Sequence, residues 1–350
     1  MRVAVVGATG AVGRDLRRLL ELRGFPLDDL VLVASQRSAG KVLPFAGRDH
    51  TVRAVTEPDV FDGVDLALFS AGGATSREHA PRAAAAGAVV VDNSSAWRMD
   101  PDVPLVVTEV NGDALGSSGA PGARKGIVAN PNCTTMAAML PLKALHDAFG
   151  LVGFTATSFQ AAGGAGQKGM DELAAQVGPL TDAGELLRTD GAAAAKLVDH
   201  AVHEATLAYN VVPLLGTEGD DGYTDEERKL VFESRKILGL PALVVSPTCV
   251  RVPVMVGHAI ALRAVFEDRV TAANAVVSME GFPGLVLEHV PTPLEFAGRD
   301  EVAVGRVRAD LFDDHVLNLF VVGDNLLKGA ALNTVQIGEE LLRRRLVGAS

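Results

Sequence analysis

Cys133 stands in Asn130-Pro131-Asn132-Cys133-Thr134-Thr135, directly before a helical stretch that runs to Phe149. Asn132 has the side chain of a helix N-cap. A cysteine in the first helical turn has its thiolate stabilised by the helix dipole and by N–H groups that lack a partner within the helix. That setting suits a nucleophile that forms a covalent intermediate. The only other cysteine, Cys249, lies inside the apolar run Val244–Val252 with no helix start, and reads as a packing residue. A thiol nucleophile needs a base, and eight histidines compete for the part. His258 follows Arg251-Val252-Pro253-Val254-Met255-Val256-Gly257, between two predicted strands. A histidine near its ordinary pKa of ~6.5 exchanges protons at neutral pH. His50, His79, His146, His200, His203, His289 and His315 lie in polar or helical contexts without an evident partner.

A second chemistry is written at the N-terminus. Gly7-Ala8-Thr9-Gly10-Ala11-Val12-Gly13 follows the apolar run Val3–Val6 and opens a helical stretch. Glycines there allow a tight turn and close backbone approach to a pyrophosphate at the helix start. The spacing is a variant of the dinucleotide fingerprint, which makes Gly7, Thr9, Gly10, Ala11, Val12 and Gly13 candidate cofactor contacts. At the end of the second strand an acidic residue binds a ribose 2′-OH, whereas an arginine accommodates a 2′-phosphate. This chain has Ser35-Gln36-Arg37-Ser38 and no carboxylate there. Arg37 flanked by Ser35 and Ser38 favours NADP(H) over NAD. Ser70, Gly72 and Gly73 close the fourth predicted strand, and Asn93 and Ser94 follow the fifth. Small and hydroxyl residues at such strand ends line cofactor crevices, and they also make ordinary turns and caps.

These residues need a scaffold. In the first half, strands are predicted at Arg2–Val6, Leu30–Ala34, Thr51–Val55, Asp65–Phe69, Ala88–Asp92 and Gly126–Ala129, with helices at Ala11–Arg23, Ser76–Ala86 and Thr134–Phe149. Continuous apolar strands alternating with helices predict a parallel, doubly wound Rossmann-like sheet. Beyond residue 150 the apolar runs are longer and closer: Gly153–Gln160, Ala242–Val252, His258–Phe266, Glu301–Arg308 and His315–Val322, with helices at Tyr223–Leu238 and Thr271–Met279. That pattern predicts an α+β domain with a mostly antiparallel or mixed sheet. Thr181–Thr206, Ala-rich and polar, supports either a helix or an excursion. Asn325–Leu346 has helical spacing and ends in Arg343-Arg344-Arg345, cations that suit the end of a helix dipole. The expected division is a dinucleotide domain over residues 1–132, completed by a C-terminal helix within 326–350. A catalytic domain follows over 133–325, with Cys133 at the junction.

Length and charge bound the reading. A chain of 350 residues suggests two domains. Two thiols cannot supply a disulfide framework or a four-cysteine zinc site, and no metal is expected. The net charge of −11 argues against broad affinity for nucleic acid or anionic membranes. No run reaches the ~18 apolar residues of a membrane span, and the start lacks the features of a signal peptide. The expected location is the cytoplasm. An acidic protein that binds an anion must do so through a local cluster of cations.

Taken together, Gly7–Gly13, Phe69–Gly73, Asp92–Met99, Asn130–Thr135, Gln160–Gly166, Thr248–His258 and Asp324–Gly338 resemble, in order and spacing, the aspartate-β-semialdehyde dehydrogenase family. The resemblance implies NADPH-dependent reductive dephosphorylation of L-aspartyl-4-phosphate to L-aspartate-4-semialdehyde through a cysteine thioester. The implied setting is biosynthesis of lysine, threonine, methionine and diaminopimelate. It implies Cys133 as nucleophile, His258 as general acid/base and Gln160 as the residue orienting substrate and thioester. Arg251 then pairs with the substrate α-carboxylate, Arg98 and Lys229 bind phosphate, Glu226 meets the substrate ammonium and Asn132 assists substrate positioning. Asn325 contacts the nicotinamide, with Gly163 and Gly164 beside the cofactor. A homodimer or a tetramer is implied, built on the second domain's sheet. Two positions depart from the family pattern: Gly163 where many members have serine, and Leu327 where arginine is common. An N-acetyl-glutamyl-phosphate reductase shares this plan but tends to have Pro-Gly-Cys at its nucleophile. A catalytically silent nucleotide-binding homologue is expected to lack the Cys, Gln, Arg and His that are present here.

Overall fold

The computed structural model describes residues 1–117 and 120–348; the last two residues of the C-terminal segment, 349 and 350, lie outside the described residues. The chain forms two compact units. One contains Met1–Met139, Glu233–Leu240 and Leu327–Ser350, and the other Leu140–Phe232 and Pro241–Leu326.

The first unit is built on six parallel strands: β1 (Arg2–Val6), β2 (Asp29–Ala34), β3 (Arg53–Ala54), β4 (Leu66–Phe69), β5 (Val89–Asp92) and β6 (Ile127–Ala129). Their order is β6-β5-β4-β1-β2-β3. The chain winds outward from β1 in both directions, so the carboxyl ends of β1 and β4 flank the switch point where such sheets bind ligands. Val3–Val6 and Leu66–Phe69 are fully buried, which is why these strands are apolar without alternation. Helices α1 (Ala11–Leu22), α2 (Gly73–Ala85) and α3 (Cys133–Phe149) each follow a strand of this sheet. Leu16 and Leu20 of α1 share one core cluster with Val335, Ile337 and Leu341 of the C-terminal helix Asn333–Arg343.

The predicted strand Thr51–Val55 divides. Thr51 ends a hairpin, Val42–Phe45 with Arg48–Thr51, and only Arg53–Ala54 joins the sheet. Phe45 pairs with Arg48, so Ala46-Gly47 is a two-residue turn. Both residues have positive φ, 48° and 72°, the geometry that matches the twist of a hairpin. Ala-Gly is a weaker signal for that turn than Asn-Gly.

The single C-terminal stretch also divides. Leu327–Leu332 forms a wide π-type turn before the helix. Leu327 is buried in the apolar cluster, so the departure from arginine leaves packing rather than a missing hydrogen bond. The anchor is its neighbour. Lys328, 1% exposed, donates to both Glu109 carboxylate oxygens at 2.7 Å and to Gln336 Oε1 at 2.7 Å. Burial raises the pKa of Glu109, but the Lys328 ammonium outweighs it and holds the carboxyl below its ordinary value. Asn333 adds amide bonds to Val106 O at 2.8 Å and Asn130 Oδ1 at 2.6 Å.

The second unit holds a mixed sheet of β7 (Leu151–Gln160), β8 (Val244–Arg251), β9 (His258–Phe266), β10 (Leu285–Leu287), β11 (Val302–Ala309) and β12 (Val316–Gly323), ordered β8-β7-β9-β12-β11-β10. β7 runs parallel to β8 and antiparallel to β9. Helix α4 (Gly166–Asp182), which periodicity did not reveal, belongs to this unit, as does the start of helix α5 (Asp225–Leu238), whose residues from Glu233 onward belong to the first unit. The polar 181–206 segment becomes two short helices, Gly184–Thr189 and Gly191–Ala195, and a turn region held by side chains of α4. Glu172 accepts the N–H groups of Ala201, Val202 and His203, and Gln176 accepts those of Leu207 and Ala208. An Ala-rich segment with many polar residues is thus ordered by side chains that replace water at its backbone. Among the described residues no helix is long and apolar enough to cross a membrane.

Removing one partner of a buried ion pair leaves the other charge uncompensated and costs about 3–5 kcal/mol. Lys328→Met is therefore expected to lower the unfolding free energy by about that amount, read from the urea midpoint. A loss below about 1 kcal/mol would show that the pair does not anchor the C-terminal segment.

Candidate active site

The carboxyl edge of the first sheet collects the nucleotide-type loops. Gly7 has φ +90°, and a Cβ there would lie 2.1 Å from Ser70 O, the first residue after β4. A Cβ on Gly13 would lie 2.1 Å from Gly7 O. Only glycine permits β1, β4 and α1 to approach this closely. The hollow at this edge is lined by Gly7, Thr9, Gly10, Ser35, Ser70 and Thr75, among others, with no carboxylate. Helices α1 and α2 both open onto it, after Gly10 and Gly72, without a side-chain cap, so their first N–H groups are available to an anion. This is the cradle a dinucleotide pyrophosphate requires. Arg37 sits exposed on the turn Gln36–Ser38, and Ser38 Oγ lies 3.5 Å from Thr9 Oγ1. Asn93 and Ser94 follow β5, but their side chains are engaged inside the unit. Asn93 Oδ1 accepts from Asn130 and Thr334, and the Ser94 hydroxyl donates to buried Asp92 at 2.6 Å.

The thiol stands at the end of β6. Cys133 is the first residue of α3 and is partly accessible, whereas Cys249 is 1% exposed within β8. Asn132 Oδ1 accepts the N–H groups of Thr134 at 2.9 Å and Thr135 at 3.3 Å, the N-cap the sequence predicts. That oxygen is therefore committed to the helix rather than to a substrate. Arg98 is 7% exposed. It donates Nε–H to Asn130 O at 2.9 Å, one Nη1–H to Glu233 at 3.0 Å and one Nη2–H to Asn93 O at 2.7 Å. A guanidinium has five N–H groups, so two remain for an anion.

In the second unit the strand ends do the positioning. Gln160 and Arg251 are directly paired at the parallel ends of β7 and β8, and His258 opens β9 next to β7. Gln160 is 1% exposed, with Nε2 donating to Ser158 Oγ at 3.2 Å. The backbone of one residue serves both neighbours: Ala161 N–H donates to His258 Nδ1 at 3.1 Å, and Ala161 O accepts from Arg251 Nη1 at 2.8 Å. An accepting Nδ1 assigns the proton of the neutral ring to Nε2. The ring is fully buried, and burial, with the Arg251 charge adding to it, pushes its pKa down to about 3. This corrects the expectation of an ordinary value near 6.5: His258 is neutral throughout the physiological range. Gly164 is where Arg251 and His258 converge. A Cβ there would meet Arg251 Nη1 at 2.6 Å and the imidazole at 3.3 Å. At Gly163 a Cβ would meet Met255 O at 2.8 Å and Asn325 Nδ2 at 3.5 Å, so serine would crowd that backbone. Asn325 Oδ1 accepts Gly257 N–H at 2.8 Å, while its Nδ2, buried, has no partner among the described residues. That orphan donor suits a carboxamide oxygen.

Lys229 and Glu226 form their own cluster on α5. The Lys229 ammonium lies 2.7 Å from Asp225 and 3.0 Å from Glu226. Burial pulls its pKa down, but Glu226 and Asp225 outweigh burial and hold it above its ordinary value. Sequence reasoning did not mark Glu233, one face-repeat further along α5. It is 1% exposed and accepts from both Arg98 and the Asn132 backbone. The available signal was an acidic residue at i+7 from Glu226, between the apolar positions Leu230 and Ile237.

The first 118 residues invite comparison with nucleotide-binding families, and the remainder with their partners. Residues 2–118 match the semialdehyde dehydrogenase NAD-binding domain, and residues 142–328 match the semialdehyde dehydrogenase dimerisation domain. The aspartate-semialdehyde dehydrogenase of Corynebacterium glutamicum is 50% identical over 97% of this chain and 99% of its own. That of Aquifex aeolicus is 43% identical over 99% of each chain. The crystal structure of aspartate semialdehyde dehydrogenase II from Vibrio cholerae, complexed with ASA, superposes with a TM-score of 0.90 at 42% identity, covering 98% of both chains. On the carboxyl-edge cradle, the capped thiol and these likenesses, the chain belongs to the aspartate-semialdehyde dehydrogenase family.

Proposed function

We propose that this protein is an NADP-dependent aspartate-semialdehyde dehydrogenase that reductively dephosphorylates L-aspartyl-4-phosphate in amino-acid biosynthesis. The observation that carries the reading is Cys133 as the first residue of a helix whose cap is already supplied by Asn132. The Cys133 thiolate attacks the acyl carbon, the C–O bond to phosphate breaks and a thioester forms. NADPH, when bound, supplies the hydride that reduces that carbon. The Cys133 sulfur then leaves as thiolate from the hemithioacetal and releases the aldehyde. Gln160 orients the acyl group, and Arg251 takes the α-carboxylate, which a guanidinium binds bidentately. Arg98 and Lys229 receive the phosphate, Asn132 positions the thiol, and Glu226 meets the ammonium. His258 is neutral with its proton on Nε2, so it donates a hydrogen bond to the developing oxyanion in both directions and keeps its proton, and the hemithioacetal oxyanion expels the thiolate without a net proton transfer. That proton never has to compete with bulk ionisation near pH 6.5.

The cofactor is held by Gly7, Thr9, Gly10, Ala11, Val12, Gly13, Ser35, Arg37, Ser38, Ser70, Gly72, Gly73, Asn93 and Ser94, in a domain of residues 1–132 completed by the C-terminal segment. Asn325, Gly163 and Gly164, in the domain of residues 133–325, meet the nicotinamide. A homodimer is supported by an open face of the second sheet bearing Thr155, Thr157, Arg263, Arg308, Asn318 and Phe320. We place the enzyme in the cytoplasm.

Purified enzyme is expected to turn over NADP⁺ with aspartate semialdehyde beyond a single stoichiometric burst only when phosphate is present, followed as absorbance at 340 nm. Cys133→Ser is expected to lower kcat by at least about a thousandfold without changing the melting temperature. Turnover that survives that change, or that requires N-acetyl-glutamate semialdehyde instead, overturns the assignment. Arg37→Ala is expected to raise KM for NADP⁺ about tenfold and to change KM for NAD⁺ less than about twofold. Equal effects on both cofactors would remove Arg37 from the 2′-phosphate site.

A further inference from the structure

A carboxylate is buried only where donors replace its water, and Glu233 accepts from donors of different kinds. Oε1 accepts from Arg98 Nη1 at 3.0 Å, and Oε2 accepts from the Asn132 backbone N–H at 2.7 Å. Arg98 returns to the same loop through Nε–H to Asn130 O at 2.9 Å. The contacts close a ring: Arg98 to Glu233, Glu233 to Asn132, across Pro131 to Asn130, and back to Arg98. Pro131 has no N–H, so the loop can be gripped at the flanking Asn130 carbonyl and Asn132 amide, and both are taken. One turn further along α5, the Lys236 ammonium donates to the carbonyls of Arg98, Asp100 and Val103 at 2.7, 2.8 and 2.7 Å. The helix therefore fixes the backbone of the Arg98 segment as well as its guanidinium.

We infer that Glu233 is a positioning residue: its carboxylate holds the phosphate-receiving Arg98 and the loop that carries the Cys133 nucleophile at one fixed spacing. It touches neither substrate nor cofactor and acts through both. A carboxylate that only neutralised Arg98 would have no use for the Asn132 amide. A carboxylate that only braced the loop would not also be spent on an arginine that keeps donors for an anion. The inference rests on the roles of Arg98 and Cys133 proposed above.

Glu233→Gln keeps the size and an acceptor for Asn132 N–H but removes the charge that holds Arg98. The variant is expected to melt within a few degrees of wild type. Its phosphate KM should rise about tenfold, with kcat reduced less than KM rises. Arg98→Lys should behave similarly, and the double variant should be no worse than the poorer single one, because both break the same link. A folded Glu233→Gln with phosphate KM within about twofold of wild type, or multiplicative effects in the double variant, overturns the inference. If Glu233→Gln does not fold, Glu233→Asp, which shortens the reach by one methylene, takes its place with the same criteria. The rate at which iodoacetamide alkylates Cys133, followed by mass spectrometry of its peptide, needs no turnover. It should change at least about threefold in the Glu233 variant, and an unchanged rate counts against the inference. A wild-type enzyme without phosphate-dependent turnover would instead refute the proposed function, leaving the alkylation comparison to decide the hold on the loop.

Discussion

A parallel sheet delivers every strand's carboxyl end to the same edge, and the first unit is organised by that constraint. β1 ends at Gly7, β2 at Ser35–Ser38, β4 at Ser70–Gly73, β5 at Asn93–Ser94, and β6 at Asn130–Cys133. Five loops, far apart in sequence, need no further device to gather. What the sequence must then provide is room and caps. Room comes from Gly7 and Gly13, where any Cβ would sit against backbone oxygen at 2.1 Å. The caps differ by purpose: α1 and α2 begin without a side-chain cap, facing the cradle, whereas α3 is capped by Asn132 and begins with the thiol.

The second unit solves a different problem, presenting polar groups from inside a sheet. Register pairs Gln160 with Arg251 at strand ends, and the Ala161 backbone then pins Arg251 with its carbonyl and His258 with its N–H. Burial of His258 next to an arginine makes the protonated ring expensive. The result is an imidazole of fixed tautomer, whose value to the chemistry is a well-placed N–H rather than a pKa near neutrality. Linkage gives the cost. Because the folded pKa lies below the unfolded one, this histidine stabilises the fold above about pH 6.5 and progressively withdraws that stability as pH falls toward 3.

Much of this was legible because it is local. The glycine loop, the Asn-Pro-Asn-Cys turn and the strand runs each carry their reason within a few residues, and the motifs appear in one order along the chain. What was not legible depends on long-range pairing. Glu233 meets Arg98 across 135 residues and Asn132 across 101, and Lys328 meets Glu109 across 219. No spacing rule within a helix announces such partners. The depressed pKa of His258 follows from complete burial, which a histidine at the start of a strand does not advertise. Helix α4 escaped notice because its buried face mixes Gly169 and Gln176 with Leu173 and Leu180, blurring the apolar period. The hairpin turn at Ala46-Gly47 was hidden by an alanine in a conformation usually given to asparagine or glycine.

The central claim is a covalent acyl group on one thiol. It is tested most directly by mixing the enzyme with aspartate semialdehyde and NADP⁺ in the absence of phosphate, quenching in acid and mapping peptides by mass. The account predicts an aspartyl thioester on the Cys133 peptide, removed by hydroxylamine and discharged by added phosphate. A burst of NADPH with no adduct on Cys133, or an adduct on Cys249 instead, would contradict it.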